Sequence, residues 1–290
     1  MKSNGLILCF GEILWDCLPR GLFPGGAPMN VAYHLRRHGV NALPVTAIGK
    51  DILGAELLRR LKGWGVDTRY VTTLPAKPTG TVQVELDKSG KPHYEIVERV
   101  AWDHIPVSPR LLAQARSSKA IVFGSLAQRT PHNRKQLARI LEAAREPWKV
   151  FDINLRPPFD DLKLVRALMR RSNLIKLNDE ELGRFSNRKL SPTQLEGAAR
   201  KLGAEAACER ICVTAGPHGA GLLWDGKWYW EKARKIQVKD SVGAGDSFLA
   251  SLLHSLLFAE TPVRHSLAKA CRLAEFVASS DGATPAYDVH

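Results

Sequence analysis

The segment DSVGAGDSFLASLL, from Asp240 to Leu253, places two carboxylates around a run of very small residues, directly before an apolar stretch. The apolar side chains recur at helical spacing and predict one buried helix face: Phe248, Leu249, Leu252, Leu253, Leu256 and Leu257. Gly243, Ala244 and Gly245 therefore fall at a helix N-terminus. Unpaired backbone N–H groups and the helix dipole favour an anion at such a position.

Asp246 falls in the first turn of this predicted helix. A carboxylate among bound phosphates is unfavourable unless it has a chemical task, and accepting a proton from a hydroxyl nucleophile is such a task. The alternative is that Asp246 only complements the helix dipole. Both readings are compatible with this segment, so the other polar clusters of the chain have to distinguish them.

The composition is that of a globular enzyme. The chain has 290 residues, 44% hydrophobic and 24% charged, which suits a single α/β domain spanning residues 1–290. The apolar run near the N-terminus leads directly into Gly11 and Glu12, which predicts a buried first strand rather than a signal peptide. Five scattered cysteines argue against a disulfide framework. We therefore expect a reduced, cytoplasmic protein that contacts no membrane.

The formal net charge is +13 at pH 7, which raises the possibility of a nucleic-acid partner. The basic residues, however, are spread along the chain and occur only in short pairs such as Arg36-Arg37 and Arg170-Arg171. This distribution favours solvated helix faces and an attraction for small anions such as nucleotides. We therefore expect small-molecule partners and no nucleic acid.

Strand-like and helix-like segments alternate through most of the chain, which predicts a mostly parallel central sheet with helices on both faces. Residues 79–97 break this rhythm, because they alternate with period two around a turn at residues 88–90 and so predict a β-hairpin. A second hairpin is predicted around Asp225-Gly226. The string GLLWDGK within it resembles a phosphate-binding (Walker A) loop. Such a loop must join a strand to a helix, so a string inside a hairpin is not expected to bind phosphate.

A second glycine-rich cluster lies near the N-terminus. Gly25 and Gly26 precede a helical pattern that carries Asn30 in its first turns, and Asp16 lies shortly after the first strand. An asparagine offers both a donor and an acceptor, which suits sugar hydroxyls. These residues are candidates for binding a polar ligand.

Three further clusters follow apolar strands, and therefore lie at strand carboxyl ends where open α/β sheets bind ligands. In DINLR, Asn154 and Arg156 alternate onto the same side of an extended segment, and Arg156 is a natural phosphate partner. In KLNDEE, Asn178 and Glu181 are candidates for organising Mg²⁺ through water. The turn TAGPHG, which begins at Thr214, suits a nucleotide phosphate or ribose.

Five motifs in this order, GGAPMNVA, DINLR, LNDEE, VTAGPHG and DSVGAGDSF, resemble the ribokinase-like (PfkB) family of carbohydrate kinases, over nearly the whole chain. The stretches GEILWDCLP, DINLR and VAWDHI are most similar to fructokinases. The resemblance implies a ribokinase-like α/β fold. It also implies a small β-sheet lid, formed by residues 13–24 and 79–100, that closes over the sugar and often serves as a homodimer contact.

The resemblance also implies a mechanism for the C-terminal motif. Asp246 would be the catalytic base that deprotonates the primary hydroxyl of the sugar. Gly243, Ala244 and Gly245 would form the anion hole for the transferring phosphoryl group. Arg156 would stabilise the charge of that group.

Sugar contacts are implied for a second set of residues: Asp16, Gly26, Asn30 and Asn154. Trp102, just past the hairpin, is a candidate to pack on the sugar, with core packing as the alternative. Because the family varies around the hairpin, the choice of sugar stays open at this point.

The cofactors implied are ATP and Mg²⁺. Asn178, Thr214, Gly216 and Gly219 would hold the nucleotide, and Glu181 would act on Mg²⁺ through water. A monovalent cation, K⁺, often sits beside the anion-hole loop in relatives. Asp240 and the segment near Gly282 are the candidates to supply oxygens to it.

The function expected from the resemblance is ATP-dependent phosphorylation of a sugar, with D-fructose converted to fructose 6-phosphate. The alternatives are a kinase of the same fold that acts on 2-keto-3-deoxygluconate, another ketose or a nucleoside, and a non-catalytic sugar- or nucleotide-binding regulator. The presence of Asp246, Asn154, Arg156 and Glu181 argues against the regulator, because a protein that only binds needs no base.

Overall fold

A computed structural model describes residues 5–18, 21–86 and 92–288 of the chain. The strands are β1 Leu6–Phe10, β2 Leu14–Leu18, β3 Gly21–Gly25, β4 Asn41–Gly49, β5 Val71–Leu74, β6 Gly80–Leu86, β7 Pro92–Ile96, β8 Ala120–Gly124, β9 Trp148–Asp152, β10 Leu174–Asn178, β11 Arg210–Thr214, β12 Ala220–Trp224 and β13 Lys227–Glu231. The helices are α1 Ala27–Arg37, α2 Ile52–Gly63, α3 Pro109–Arg116, α4 Pro131–Ala143, α5 Leu162–Met169, α6 Asp179–Ser186, α7 Leu195–Ala206, α8 Ala244–Leu257 and α9 Val263–Ala278.

Nine strands form the central sheet in the order β13-β12-β11-β10-β9-β8-β1-β4-β5. The strand pairs from β11 to β5 are parallel, and the β11–β12 and β12–β13 pairs at one edge are antiparallel. This confirms the predicted sheet class. The Walker-like string lies in the β12–β13 hairpin, as expected, and therefore does not join a strand to a helix.

Helices cover both faces of the sheet because successive strand residues point to opposite sides. On β1, Leu8 and Phe10 join the core beneath α3 to α7, whereas Ile7 and Cys9 join the core beneath α1, α8 and α9. Helix α8 packs between α1 and α9 on one face of the sheet. Its N-terminus is fixed at the carboxyl edge of the sheet by a fully buried face.

A second, smaller sheet has the order β3-β2-β6-β7 and is built from the segments predicted to form the lid. It is mixed, because β2 and β6 run parallel while the other two pairs are antiparallel. The predicted turn at residues 88–90 lies outside the described residues. Trp15 on β2 and Met29 on α1 share a cluster with Leu57 of α2, which ties the small sheet to the main body.

The free cysteines within the described ranges agree with the expectation of no disulfide framework, and Cys208 and Cys212 are both buried. The described part of the chain contains no group of three or more His, Cys, Asp or Glu side chains arranged to hold a metal ion. It also contains no helix long and apolar enough to cross a membrane.

Candidate active site

The start of α8 is the predicted backbone anion site. Gly243 is the N-cap, no side chain caps the helix, and Ala244, Gly245 and Asp246 form the first turn. Gly243 has φ +78°, and a Cβ there would lie 2.5 Å from Cβ of Ala283. Only glycine fits this position without strain. The N–H of Ala244 donates to the carbonyl oxygen of Ser241 at 3.3 Å, so the N–H groups of Gly245 and Asp246 in the first turn of α8 are the candidates for binding an anion. The anion site itself stays a prediction.

Asp246 is buried, with 8% of its surface exposed, although it lies at the helix end that would receive the anion. Nδ2 of Asn30 donates a hydrogen bond of 2.8 Å to Oδ2 of Asp246, so α1 and α8 meet at the carboxylate. Burial and the neighbouring Asp152 raise the pKa of Asp246 to about 6, against the opposing effects of Lys176, Asn30 and Arg156. A carboxylate with this pKa is ionised at neutral pH yet more basic than usual, which suits a general base.

The residues predicted to hold the sugar lie where α1 meets the small sheet. Gly26 is the N-cap of α1, with φ +110°, and a Cβ there would collide with the carbonyl oxygen of Glu12. Asp16 lies on β2 opposite β3, and a Cβ at Gly25 would collide with its Oδ2. Burial raises the pKa of Asp16 to about 6, with Arg156 lowering it and Asp240 raising it.

A buried ion pair, absent from the sequence-based prediction, lies beneath the anion site. Nζ of Lys176 contacts Oδ1 and Oδ2 of Asp152 at 2.8 Å and 3.0 Å, and both side chains are less than 10% exposed. A Cβ at Gly245 would lie 3.1 Å from Nζ of Lys176, which places the ammonium directly under the first turn of α8. Burial lowers the pKa of Lys176, but Asp152, Asp246 and Glu181 outweigh it and raise the pKa above its usual value.

The prediction of an extended segment through Asn154 is wrong. Strand β9 ends at Asp152, and Asn154 adopts φ +45°, so it does not alternate with Arg156 along a strand. Arg156 is exposed, its Nη1 bonds to the carbonyl oxygen of Leu155, and its charge lowers the pKa values of Asp16 and Asp246. Both residues thus follow the carboxyl end of β9, and Arg156 acts electrostatically on the predicted site.

Asn178 and Glu181 form a capping box at the start of α6. Oε2 of Glu181 accepts from the backbone N–H of Asn178 at 2.8 Å, and Oε1 accepts from the N–H of Leu155 at 2.7 Å. Burial raises the pKa of Glu181 despite these bonds. Each oxygen of Glu181 thus accepts one backbone N–H group, and its role toward Mg²⁺ through water stays a prediction. Glu181 joins the segment after β9 to the start of α6.

The turn that was predicted to hold the nucleotide follows β11. Thr214 pairs with Asn178 across the parallel β10–β11 register, so both lie at the same sheet edge. Gly216 is the first residue of a short 3₁₀ turn that ends before Gly219, and the N–H of Ala215 donates to the carbonyl oxygen of Gly219 at 2.8 Å. This closed, glycine-rich turn lies beside α6 at the carboxyl edge.

Trp102 packs in the protein core, so the core-packing alternative holds and the sugar contact is wrong. Its side chain is fully buried in a cluster with Leu126 and Ala127. The guanidinium of Arg129 lies 3.9 Å from the centre of its ring and forms a buried ion pair of 2.7 Å with Asp103. No surface of Trp102 is left for a ligand.

Asp240 is held in the loop that precedes α8. Its backbone N–H bonds to the carbonyl oxygen of Ala278, and its Oδ1 accepts from the N–H of Val242 at 3.0 Å. The neighbouring Gly282 has φ +72° and precedes Ala283, which contacts Gly243. This arrangement makes Asp240 a support of the anion-site loop, and its role toward a monovalent cation stays a prediction.

Comparison with known proteins defines the class to which this fold and site belong. The pattern of the pfkB family carbohydrate kinases matches residues 11–289, which is nearly the whole chain. The chain therefore belongs to the pfkB carbohydrate kinase family, and it is a sugar kinase of the ribokinase-like fold.

One relative and two solved structures illustrate the similarity. A fructokinase from Klebsiella pneumoniae is 31% identical over 266 residues, covering 87% of this chain and 85% of that protein. A fructokinase from Vibrio cholerae, solved with fructose, ADP and potassium, has a TM-score of 0.82 at 21% identity and covers 98% of this chain and 95% of that chain. An uncharacterized sugar kinase from Pyrococcus horikoshii in complex with ATP has a TM-score of 0.78 at 23% identity, covering 96% and 94%.

Proposed function

We propose that the protein transfers the γ-phosphoryl group of ATP to the primary hydroxyl of a sugar, and that this sugar is D-fructose, giving fructose 6-phosphate. One observation carries the proposal. A buried carboxylate of raised pKa, Asp246, lies in the first turn of a helix that begins at the glycine N-cap Gly243 and has no side-chain cap. A base beside an anion site is the arrangement that phosphoryl transfer to a hydroxyl requires.

In the proposed step, Asp246 accepts the proton of the sugar hydroxyl. The hydroxyl oxygen forms a bond to the γ-phosphorus while the bond from that phosphorus to the β,γ-bridging oxygen breaks, leaving ADP. The N–H groups of the first turn of α8 bind the oxygens of the transferring group. Lys176, 3.1 Å from the Cβ position of Gly245, adds positive charge from below. Such preorganised charge supplies most of the catalysis in phosphoryl transfer.

The sugar is proposed to lie between the small sheet and α1. Asp16 offers a carboxylate there, and the amide of Asn30 lies beside Asp246 with its Oδ1 unpaired. Asn154, two residues after the end of β9, is the third proposed contact. Closure of the small sheet would exclude water from the transfer. A homodimer through this sheet stays a prediction.

Mg²⁺–ATP is the proposed phosphoryl donor, and Mg²⁺ enters the site already bound to the phosphates of ATP. Backbone N–H groups hold both oxygens of Glu181 in place, and its proposed contribution to Mg²⁺ is a contact through water. Thr214, Gly216 and Asn178 are the proposed neighbours of the nucleotide, because their strand ends adjoin along the sheet edge. ATP in the Pyrococcus sugar kinase and ADP in the Vibrio fructokinase support this assignment.

Fructose is the substrate favoured by the relatives, since several curated proteins similar to this chain are fructokinases at 26–31% identity. The test is a panel of fructose, other ketoses, aldoses, 2-keto-3-deoxygluconate and nucleosides, with ADP release measured by a coupled assay. We expect the highest kcat/KM with fructose. Activity confined to nucleosides or to 2-keto-3-deoxygluconate would contradict the fructose assignment, and binding without turnover of any of them would contradict the kinase proposal.

The pH dependence follows from the raised pKa of Asp246. Because the base must be ionised, we expect kcat/KM to fall about tenfold per unit as pH drops below about 6, with a plateau above. The measurement is kcat/KM for the sugar between about pH 5 and about pH 8 at fixed ionic strength. An acid limb near pH 4, the usual range of an aspartate, would contradict the buried-base assignment.

A further inference from the structure

Glu12 is a buried carboxyl group that the proposed reaction does not use. It follows β1 directly after Gly11, and only 4% of its surface is exposed. Its Oε1 accepts a hydrogen bond of 3.2 Å from the N–H of Ala27, the first residue of α1. Its Oε2 is buried and has no hydrogen-bond partner. Burying a carboxyl oxygen without a hydrogen-bond partner is unfavourable. The hydrogen bond to Ala27 alone does not explain why Oε2 is buried.

The position of Glu12 makes it the cap of α1. The N-cap residue Gly26 has no side chain, so the helix lacks a cap from its own sequence. Glu12 supplies the missing acceptor from a separate strand end. The backbone also fits closely here, because a Cβ at Gly26 would collide with the carbonyl oxygen of Glu12 and a Cβ at Gly11 would lie 2.6 Å from Pro28. The segment after β1 and the first turn of α1 therefore form one rigid unit.

That rigid unit carries the partner of the catalytic base. Asn30 lies one turn into α1, and its Nδ2 donates to Asp246 at 2.8 Å. Its Oδ1 is buried without a hydrogen-bond partner, so no second bond described in the structure fixes the orientation of the amide. The orientation of the Asn30 amide therefore depends on the position of the first turn of α1.

Charge also connects Glu12 with the reaction site. Burial raises the pKa of Glu12 to about 7, its backbone hydrogen bonds lower it, Asp246 raises it further and Arg156 lowers it. The groups that face it are therefore Asp246 from α8, Arg156 from the segment after β9 and the N-terminus of α1. Two carboxyl groups near one phosphoryl-transfer site repel each other and the incoming phosphates when both are ionised.

We propose that Glu12 is a positioning residue of the catalytic base: it caps the first turn of α1, fixes the Asn30 amide that holds Asp246, and adds a titratable charge beside that base. This inference rests on the proposed kinase function. It assigns Glu12 no contact with the substrate.

Two substitutions separate the capping role from the charge. Glu12→Met keeps the length of the side chain but removes the acceptor, so we expect kcat to fall about 10- to 100-fold through misplacement of Asp246, with a much smaller change in the KM for ATP. Glu12→Gln keeps an acceptor for Ala27 and loses the charge. We expect it to recover most of the activity that Glu12→Met loses. The control is Glu142→Gln, because the Glu142 side chain is 71% exposed.

The pH profile tests the charge. Wild-type Glu12 gains a negative charge near pH 7, which opposes the phosphates, whereas glutamine stays neutral. We therefore expect the ratio of kcat/KM for ATP, variant over wild type, to rise about threefold between about pH 6 and about pH 8.5. A carboxyl with a raised pKa in the folded state stabilises the fold at low pH and loses that contribution as the pH rises through about 7. The melting temperature of Glu12→Gln relative to wild type should therefore also rise with pH.

The following outcomes test the role of Glu12 separately from the proposed kinase function. Kinetics within threefold of wild type for Glu12→Met, or a flat variant-to-wild-type ratio for Glu12→Gln, overturns it. If Glu12→Met does not fold, the pH profile and the melting temperatures of Glu12→Gln decide alone. If the wild-type protein phosphorylates no sugar, the proposed function fails, and the pH-dependent melting difference still tests the buried charge of Glu12.

Discussion

Replacing Asp246 by asparagine is expected to lower kcat about 100- to 10,000-fold, the contribution typical of a general base. The amide has the size of the carboxylate, and its oxygen accepts the 2.8 Å bond from Asn30, so the junction of α1 and α8 stays intact. The proton acceptor is lost. The measurement is turnover of the sugar under saturating ATP, with ATP affinity determined in parallel.

The stability of this variant provides the control. Since burial raises the pKa of Asp246 to about 6, its charged form destabilises the fold above that pH. Asparagine removes the charge, so the melting temperature of Asp246→Asn at pH 8 should equal or exceed that of wild type. A variant that melts at the same temperature or higher, binds ATP and retains full turnover would show that another group takes the proton.

Replacing Lys176 by methionine is expected to lower the free energy of unfolding by about 3–5 kcal/mol, because it leaves Asp152 as an uncompensated buried charge. The two side chains are 8% and 5% exposed and meet at 2.8 Å, so Asp152 has little contact with solvent to offset the lost partner. The measurement is denaturant unfolding at pH 7. Lys201→Met is the matched control, because Lys201 is exposed on α7.

A second readout links this ion pair with the reaction. Lys176 lowers the pKa of Asp246 and Asp152 raises it. The acid limb of kcat/KM should therefore move to higher pH in Lys176→Met. The double variant Lys176→Met/Asp152→Leu removes both charges and should recover most of the lost stability. An unchanged free energy of unfolding in the single variant would mean that the pair is solvated, contrary to its burial.

The start of α8 could be predicted because the residues on both sides of it have a pattern that is typical of a helix N-terminus. The apolar residues from Phe248 onward have helical spacing. The small residues Gly243 to Gly245 shortly before them mark the start of the helix. The parallel sheet could likewise be predicted from alternating strand and helix patterns, since that pattern has few other folded solutions. Local rules were sufficient for both features.

The remaining parts of the site depend on tertiary contacts that local rules do not include. The Asp152–Lys176 pair arises because β9 and β10 are neighbours in register, with these two residues opposite each other. A lysine inside the apolar run NLIKLN was the available signal, since buried lysines are usually paired. Glu12 gave a similar signal by following an apolar strand immediately after Gly11.

Two predictions failed for identifiable reasons. For Trp102, both a sugar contact and core packing were open, and the sugar contact fails because the stacked guanidinium of Arg129 and the Leu126 cluster bury the ring completely. Asn154 was predicted to continue a strand, but its positive φ turns the chain after Asp152. Asparagine is one of the few residues that accept this conformation readily, so the turn is compatible with the sequence but not dictated by it.

Phosphorus-31 NMR of a reaction with Mg²⁺–ATP and fructose tests the central claim most directly, because it follows the transferred atom. With wild type, we expect the γ-phosphorus signal of ATP to be replaced by the signal of a sugar phosphate monoester, in an amount equal to the ADP formed. Asp246→Asn should form no detectable monoester in the same time. ATP consumption that yields only inorganic phosphate, or equal monoester formation by the two proteins, would contradict a sugar kinase that uses Asp246 as its base.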